Sequence, residues 1–417
     1  MEYCNMDLNL TKDDRALKDS VHKFAETVMR PISIDLDKMA SAEEVIAPGS
    51  PFWDYMRRAY KLGYHKMGLP EEFGGDGLTP FQIALAWEEL GWGSFGLALA
   101  LNTSLDAVQA MGAGEEFINN FTIPLCKSTD ASYIGCWAIT EPDHGSDTLM
   151  AGYPSFRDPK IGAQCKARLD GNEWVISGQK AAWVSGGPIA KTILVMIQVE
   201  PEMGHAGSGI FVFSLDRPGI SKGKPINKIG TRELPQGEIY FDDVRVPKES
   251  MIVKPHDYEA ALAAHLSMTT AGVGVWATGL ARAAFEEALN YAKQREQGGK
   301  LLINHPNIQQ KLFDMFRKVE ASRQLCRAAM VYNWTNPPEK RVPEYSFAAK
   351  TFATQTAVEV TGDAVQIFGG NGISSEYLIE KLYRDARTTT ICDGSNDTLS
   401  LAGGYTVALT YPRKASY

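Results

Sequence analysis

The sequence predicts an α+β protein, mostly α, in three parts: an N-terminal helical domain (1–130), a middle β-domain of barrel or sandwich type (131–253) and a C-terminal four-helix bundle (254–417). Three observations carry this. Apolar residues recur at three- and four-residue steps before about Asp130 and again after Asp257. Between them the pattern changes to short β-branched and aromatic runs separated by turn residues. The 417 residues, 44% hydrophobic and 22% charged, also suffice for two or three domains around a large core.

Each element follows from its own pattern. Leu17, Val21, Phe24, Ala25 and Val28 keep helical spacing with charges between them, and Thr11 or Asp13 can cap that helix. Residues 63–77 are a glycine-rich loop, 79–91 a helix, and 94–111 a helix whose alanines and glycines permit close packing. Strands are predicted at 133–140, 174–177, 192–198, 209–214 and 238–242. The helical period returns at 259–293, 306–332 and 346–366. These helices are apolar on more than one face, which predicts a bundle that buries surface against a partner subunit as well as itself.

The net charge of −8 argues against nucleic acid or an anionic membrane as the main partner, while an anionic cofactor stays open. The six cysteines (4, 126, 136, 165, 326, 392) have no CxxC spacing and the seven histidines no HxxxH pair, so no metal site is expected. Residues 1–12 are polar, and no uninterrupted apolar run approaches the ~18 residues of a spanning helix. The expectation is a reduced, cytoplasmic setting without membrane insertion.

The candidate chemistry lies in residues 384–397, Arg-Asp-Ala-Arg-Thr-Thr-Thr-Ile-Cys-Asp-Gly-Ser-Asn-Asp, after a glycine-rich turn at 366–372. Asp393 stands between apolar Ile391-Cys392 and Gly394; partial burial there raises a carboxyl pKa, and glycine lets backbone approach a ligand. An ordinary Asp-Gly turn is the competing reading. Residues 140–147, Thr-Glu-Pro-Asp-His-Gly-Ser-Asp, offer the Thr140 and Ser146 hydroxyls and turn N–H groups to a heterocycle and a phosphate, or form a polar turn. Trp183 and Ser185, two apart, share one side of a strand and suit a flat ring, although Trp183 as core filling fits equally. Arg295 can pair with a phosphate or be a solvated helix end. Asp106 faces solvent or supplies a second pocket carboxylate. His144 and His305 read as turn residues.

In this order the motifs resemble the acyl-CoA dehydrogenase family along residues 8–403. The resemblance implies FAD, held by Thr140 and Ser146 with Ile139 beside the ring, and by Trp183 and Ser185 along the flavin wall. It implies that Arg295, Gln366, Gly369 and Gly370 reach the FAD of a neighbouring subunit, that Ser395 also meets the cofactor, and that the family's catalytic glutamate falls on Asp393. The implied reaction takes an acyl-CoA α-proton to Asp393 and a β-hydride to flavin N5. A homotetramer and electron-transfer flavoprotein as acceptor are implied as well. Several residues depart from the family pattern. Aspartate is one methylene shorter than glutamate, and Cys392 replaces a tyrosine beside it; with Gly394 these imply a wider pocket for a branched or alicyclic acyl group. Thr269 and Thr270 stand where other members carry a second base and an arginine. Gly298, Pro306 and Ser400 replace a phenylalanine, a glutamine and an arginine.

Two further readings compete. Nitroalkane oxidases are relatives with an aspartate base, and this chain shares Asp393-Gly394 and Gly298-Gly299-Lys300 with them. A non-catalytic flavin or CoA-ester binder results if Asp393 points away from the cofactor.

Overall fold

The structure, a computed structural model, describes residues 10–409 and 411; Cys4 and most of the polar 1–12 stretch lie outside the described residues. The first part holds α1 (Lys12–Phe24), α2 (Arg30–Asp37), α3 (Ala42–Val45), α4 (Pro51–Lys61), α5 (Pro80–Gly93), α6 (Phe95–Leu101), α7 (Leu105–Ala110), α8 (Glu115–Phe117) and α9 (Ile123–Lys127). Thr11 caps α1: its Oγ1 accepts from the Asp14 N–H at 3.1 Å, and the Asp14 carboxylate accepts from the Thr11 N–H at 3.0 Å. Thr79 and Gln82 repeat this box on α5. The helix expected over 94–111 is two helices, and the side chains between them explain the break. Asn102 Nδ2 donates to Ala98 O at 2.9 Å, in place of the backbone N–H that a continuous helix would supply, and Ser104 Oγ accepts from the Gly135 N–H at 2.8 Å.

The middle part holds β1 (Gly135–Ala138), β2 (Lys166–Asp170), β3 (Glu173–Ser185), β4 (Thr192–Gln198), β5 (Ser208–Ser214), β6 (Ile220–Lys222), β7 (Gln236–Pro247) and β8 (Met251–Val253). Their order is β6-β7-β3-β2-β4-β5-β8, with β1 parallel beside β4. The strands expected at 174–177 and 238–242 are the apolar segments of the longer β3 and β7. β2 and β6 are largely solvated, so no hydrophobic run announces them, and β8 is apolar but only three residues long. β4 is buried on both faces. Ile193, Val195 and Ile197 join Phe211 and Phe213 of β5 in the sheet's own core, while Leu194 and Met196 join Ile210 and Val212 in the core shared with the helices.

The last part holds α10 (Pro255–Gln294), a short hairpin of β9 (Glu296–Gln297) and β10 (Lys300–Leu301), α11 (Pro306–Thr335), α12 (Pro343–Phe368), α13 (Leu378–Thr389) and α14 (Asn396–Leu409). α10 is the axis: it packs on α5, α11, α12 and α13. By length and composition alone α10 could cross a membrane, but its apolar faces are mostly buried in this bundle. Small residues set its approach to α5; a Cβ on Gly279 would lie 2.1 Å from Glu88 O, and one on Gly91 2.3 Å from Trp276 O. Buried charges lock the same contact. Glu88 pairs with Arg282, Arg323 and Arg327, each at 3.0 Å, and Glu89 pairs with Arg282. Phe313 on α11, Phe352 on α12 and Ile373 beyond it remain exposed.

Candidate active site

Beyond α13 the chain turns sharply. The Ile391 and Cys392 N–H groups both donate to Thr388 O at 3.1 Å, and the Asn396 N–H donates to Thr390 O at 2.9 Å. Asp393 has φ 52°, in the left-handed region that residues with a Cβ seldom enter. Gly394 follows at φ 96°, and a Cβ there would stand 3.0 Å from Leu399 Cδ2 and 3.1 Å from Leu149 Cδ1. The Asp-Gly turn therefore exists, and it also carries a carboxylate inward.

Asp393 is half-buried, and its Oδ2 is sealed from water without a hydrogen-bond partner. Thr269 of α10 faces this carboxyl, yet its Oγ1 is likewise buried and unpartnered. Burial pushes the Asp393 pKa up, while the Thr269 hydroxyl and the Lys350 ammonium draw it back. Among the described residues nothing accepts from the Asp393 N–H. Burial pushes the Cys392 thiol up to about 12, so it lies beside Asp393 as a neutral, small, apolar group.

A second surface comes from the sheet. Beyond β1 the chain continues through Ile139 and Thr140, and Thr140 O accepts from the Ala181 N–H of β3 at 2.9 Å. Lys180 fixes this crossing: its Nζ donates to Ile139 O at 3.2 Å and pairs with Glu141 at 2.7 Å, both side chains fully buried. The ladder between β3 and β7 runs to Lys180↔Ile239 and resumes at Val184↔Gly237, so Ala181, Ala182 and Trp183 oppose Glu238 alone. This bulge turns Trp183 outward, 58% exposed, which overturns core filling. Ser185 shares the same side; its Oγ accepts from Gln236 Nε2 at 3.0 Å.

The sheet and the Asp393 turn meet at Ser146, whose Oγ accepts from the Ser395 N–H at 2.9 Å. The Ser395 hydroxyl, expected at the cofactor, caps α14 by accepting from the Thr398 N–H at 3.2 Å. His144 is not merely a turn residue. His144 Nδ1 and His205 Nε2 approach Asp147 Oδ2 at 2.8 and 3.2 Å, bringing together two histidines that sequence spacing left apart. Three such groups within 4.8 Å could hold a metal ion. Here both rings engage one carboxylate oxygen and tie the 140–147 loop to Pro201–Gly207. Burial alone would raise the Asp147 pKa, but the hydrogen bonds from His205 and His144 hold it well below the usual carboxylate range.

Asp106 does not face solvent. It is fully buried, with Oδ2 accepting from Tyr133 Oη at 2.6 Å and Oδ1 against Gly135, so it braces α7 on β1. Its Oδ1 has no partner, and burial raises its pKa. Arg295, Gln366, Gly369 and Gly370 form a separate exposed group, gathered by a Tyr291–Phe368 stack at 4.0 Å and by Asn371 Nδ2 donating to Tyr291 Oη at 3.0 Å. Along α12, Gln366 lies roughly 24 Å from Lys350; along α10, Arg295 lies roughly 39 Å from Thr269. These four residues therefore do not join Asp393 within one chain. Lys180, Glu141 and Lys350 were not picked out from the sequence. A lone lysine in the apolar run of Phe347, Ala348, Ala349, Phe352 and Ala353 was the available signal for Lys350.

Helical parts precede and follow the sheet in the chain, the turn after α13 carries a half-buried carboxylate, and β3 carries an exposed indole. Comparison with known proteins gives the family. Acyl-CoA dehydrogenase N-terminal, middle and C-terminal domain models match residues 11–118, 136–244 and 259–402. The mitochondrial short-chain specific acyl-CoA dehydrogenase of Rattus norvegicus is 31% identical over 398 residues, 94% of this chain and 89% of that one. Cyclohex-1-ene-1-carbonyl-CoA dehydrogenase of Syntrophus aciditrophicus is 29% identical over 405 residues, 95% of this chain and 90% of that one. The structure of butyryl-CoA dehydrogenase from Megasphaera elsdenii superposes with a TM-score of 0.83 at 28% identity, covering 97% of this chain and 100% of that one. The chain belongs to the acyl-CoA dehydrogenase family. It is an FAD-dependent oxidoreductase acting on CH–CH bonds. The residues present fit that cofactor: Trp183 exposes a ring face, and a Cβ on Gly369 or Gly370 would meet no atom within 4 Å.

Proposed function

We propose that this protein carries out α,β-dehydrogenation of an acyl-CoA thioester with Asp393 as the base. The observation that carries the reading is the buried Asp393 Oδ2, a basic atom without a hydrogen-bond partner among the described residues. Burial moves its pKa toward working pH, where a base is most effective. The free Asp393 N–H is available to the thioester oxygen, so the residue that takes the proton also steadies the charge that develops. Ile139, Thr140, Trp183 and Ser185 would hold the flavin ring, and Arg295, Gln366, Gly369 and Gly370 the distal part of FAD from a neighbouring subunit. Bound FAD supplies the hydride acceptor.

The acyl group we propose is branched or alicyclic. Aspartate reaches less far than glutamate, and a misplacement of about 1 Å can cost roughly a hundredfold. A substrate must therefore come closer to the turn, and Cys392 leaves the room. The relationship to a dehydrogenase of a cyclohexene thioester supports this. A homotetramer closed over the exposed Phe313, Phe352 and Ile373, electron-transfer flavoprotein as acceptor and a cytoplasmic setting complete the reading.

Anaerobic titration with a panel of straight, branched and cyclic acyl-CoAs tests it. A branched or cyclic thioester should bleach the flavin, and Asp393→Asn should abolish bleaching while retaining FAD. Bound FAD that no thioester bleaches would leave a binding protein. The aspartate itself favours one alternative, a nitroalkane-oxidase-like reaction; oxygen consumption with a nitroalkane, without bleaching by thioesters, would establish it.

A further inference from the structure

We propose that Lys350 is a positioning residue for Asp393, its buried ammonium holding the peptide next to the base and setting the charge that faces it. This rests on the reading of Asp393 as the base.

Lysine is almost never fully buried without a carboxylate partner. Lys350 is fully buried in α12, and among the described residues no carboxylate lies within ion-pair distance of it. Its hydrogen bonds go to the base turn instead: Nζ donates to Gly394 O at 2.6 Å and to Asn396 Oδ1 at 2.9 Å. Thr354 Oγ1 lies 2.8 Å from Lys350 O and 3.0 Å from the same Asn396 oxygen, and Asn396 Nδ2 donates to Thr351 O at 3.4 Å. The neighbouring backbone needs such support. Asp393 at φ 52° is strained, and strain of this kind persists only where surroundings over-determine it.

The electrostatics point the same way. The groups facing Asp393 are Lys350 from α12, Thr269 from α10 and Cys392 on its own turn. Thr269 carries no charge, and the Cys392 thiol is neutral because burial lifts its pKa to about 12. Lys228, between β6 and β7, faces Cys392 and is held by Leu234 O and Gln236 Oε1 at 2.6 and 2.8 Å. Lys350 is therefore the cation that acts on Asp393 directly. Burial draws the Lys350 pKa down to about 8, and the nearby Cys392 and Asp393 oppose that fall.

The test is the pH dependence of flavin reduction by a thioester that bleaches the wild-type holoenzyme, with Lys350→Met, Lys350→Gln and Lys350→Arg. Losing the cation disfavours the carboxylate, so the acid limb should move up by about one pH unit in the Met and Gln variants. Reduction should also slow by about tenfold or more. Lys350→Arg keeps the charge and should keep the limb. Infrared titration of the Asp393 carboxyl in oxidised, substrate-free holoenzyme, its band identified by Asp393→Asn, should show the same shift without turnover. A wild-type limb and rate in the Met or Gln variant overturns the proposal. If neither uncharged variant retains FAD, Asn396→Ala, which removes one of the two acceptors, replaces them: slower reduction supports the proposal and a wild-type rate overturns it. Asp393→Asn reduced as fast as wild type would instead overturn the assignment of the base.

Discussion

Ser146 and Lys350 grip opposite ends of one peptide unit. Lys350 Nζ donates to Gly394 O at 2.6 Å, and Ser146 Oγ accepts from the adjoining Ser395 N–H at 2.9 Å. The sheet domain and the helical bundle thus meet across the Gly394–Ser395 peptide, one residue beyond Asp393, and the carboxylate's aim depends on both.

The Ser146 end of this clamp can be removed alone. Ser146→Ala should leave the fold intact, because the lost hydrogen bond contributes about 1 kcal/mol. Flavin reduction by an active thioester should slow by about tenfold, since small misplacements of a base are costly. Anaerobic stopped-flow reads the rate; an unchanged rate would show that Lys350 alone positions the turn.

Gly394 tests the turn's shape. At φ 96°, with Leu399 and Leu149 methyls 3.0 and 3.1 Å from the position of a Cβ, alanine is both strained and crowded. Gly394→Ala should cost about 1–3 kcal/mol in denaturant unfolding and depress turnover further. Wild-type stability would mean that the turn relaxes without consequence.

Trp183 separates a cofactor wall from a core residue. At 58% exposure its truncation should change the stability of the FAD-free protein by no more than about 0.5 kcal/mol. Loss of ring contact, worth about 1 kcal/mol, should weaken FAD binding by five- to tenfold or more. Fluorescence of released FAD on dilution measures this. Destabilisation with unaltered FAD affinity would make Trp183 structural.

Asp393 links activity and stability through pH. Its folded-state pKa is raised by burial, so the protonated form is favoured by folding. That contribution is present below the unfolded value of about 3.9 and is lost as pH rises through the folded pKa. Two outcomes follow. The acid limb of flavin reduction should lie above the ordinary carboxylate range, and Asp393→Asn should be more stable than wild type at neutral pH. Thermal melts between pH 5 and 8 check the second; equal or lower stability of the variant would contradict the buried charge.

Local chemistry was readable in the chain. The change of period from helix to strand and back marked the three parts, Thr11 or Asp13 marked the first helix start, and the cysteine, aspartate and glycine at 392–394 marked the turn, because each depends on residues a few positions apart. The break at Asn102–Ser104 was missed because Ser104 finds its partner in β1, on another element. Trp183 suited a flat ring and core filling equally in the sequence; the bulge against β7 turns it outward, and a bulge depends on how two strands pair. The ammonium of Lys350 meets a carbonyl 44 residues away, and Ser146 meets an N–H 249 residues away. Periodicity in the sequence establishes which face of an element is buried. Only the packed chain decides what that face meets, since contacts at such separations depend on every element between them.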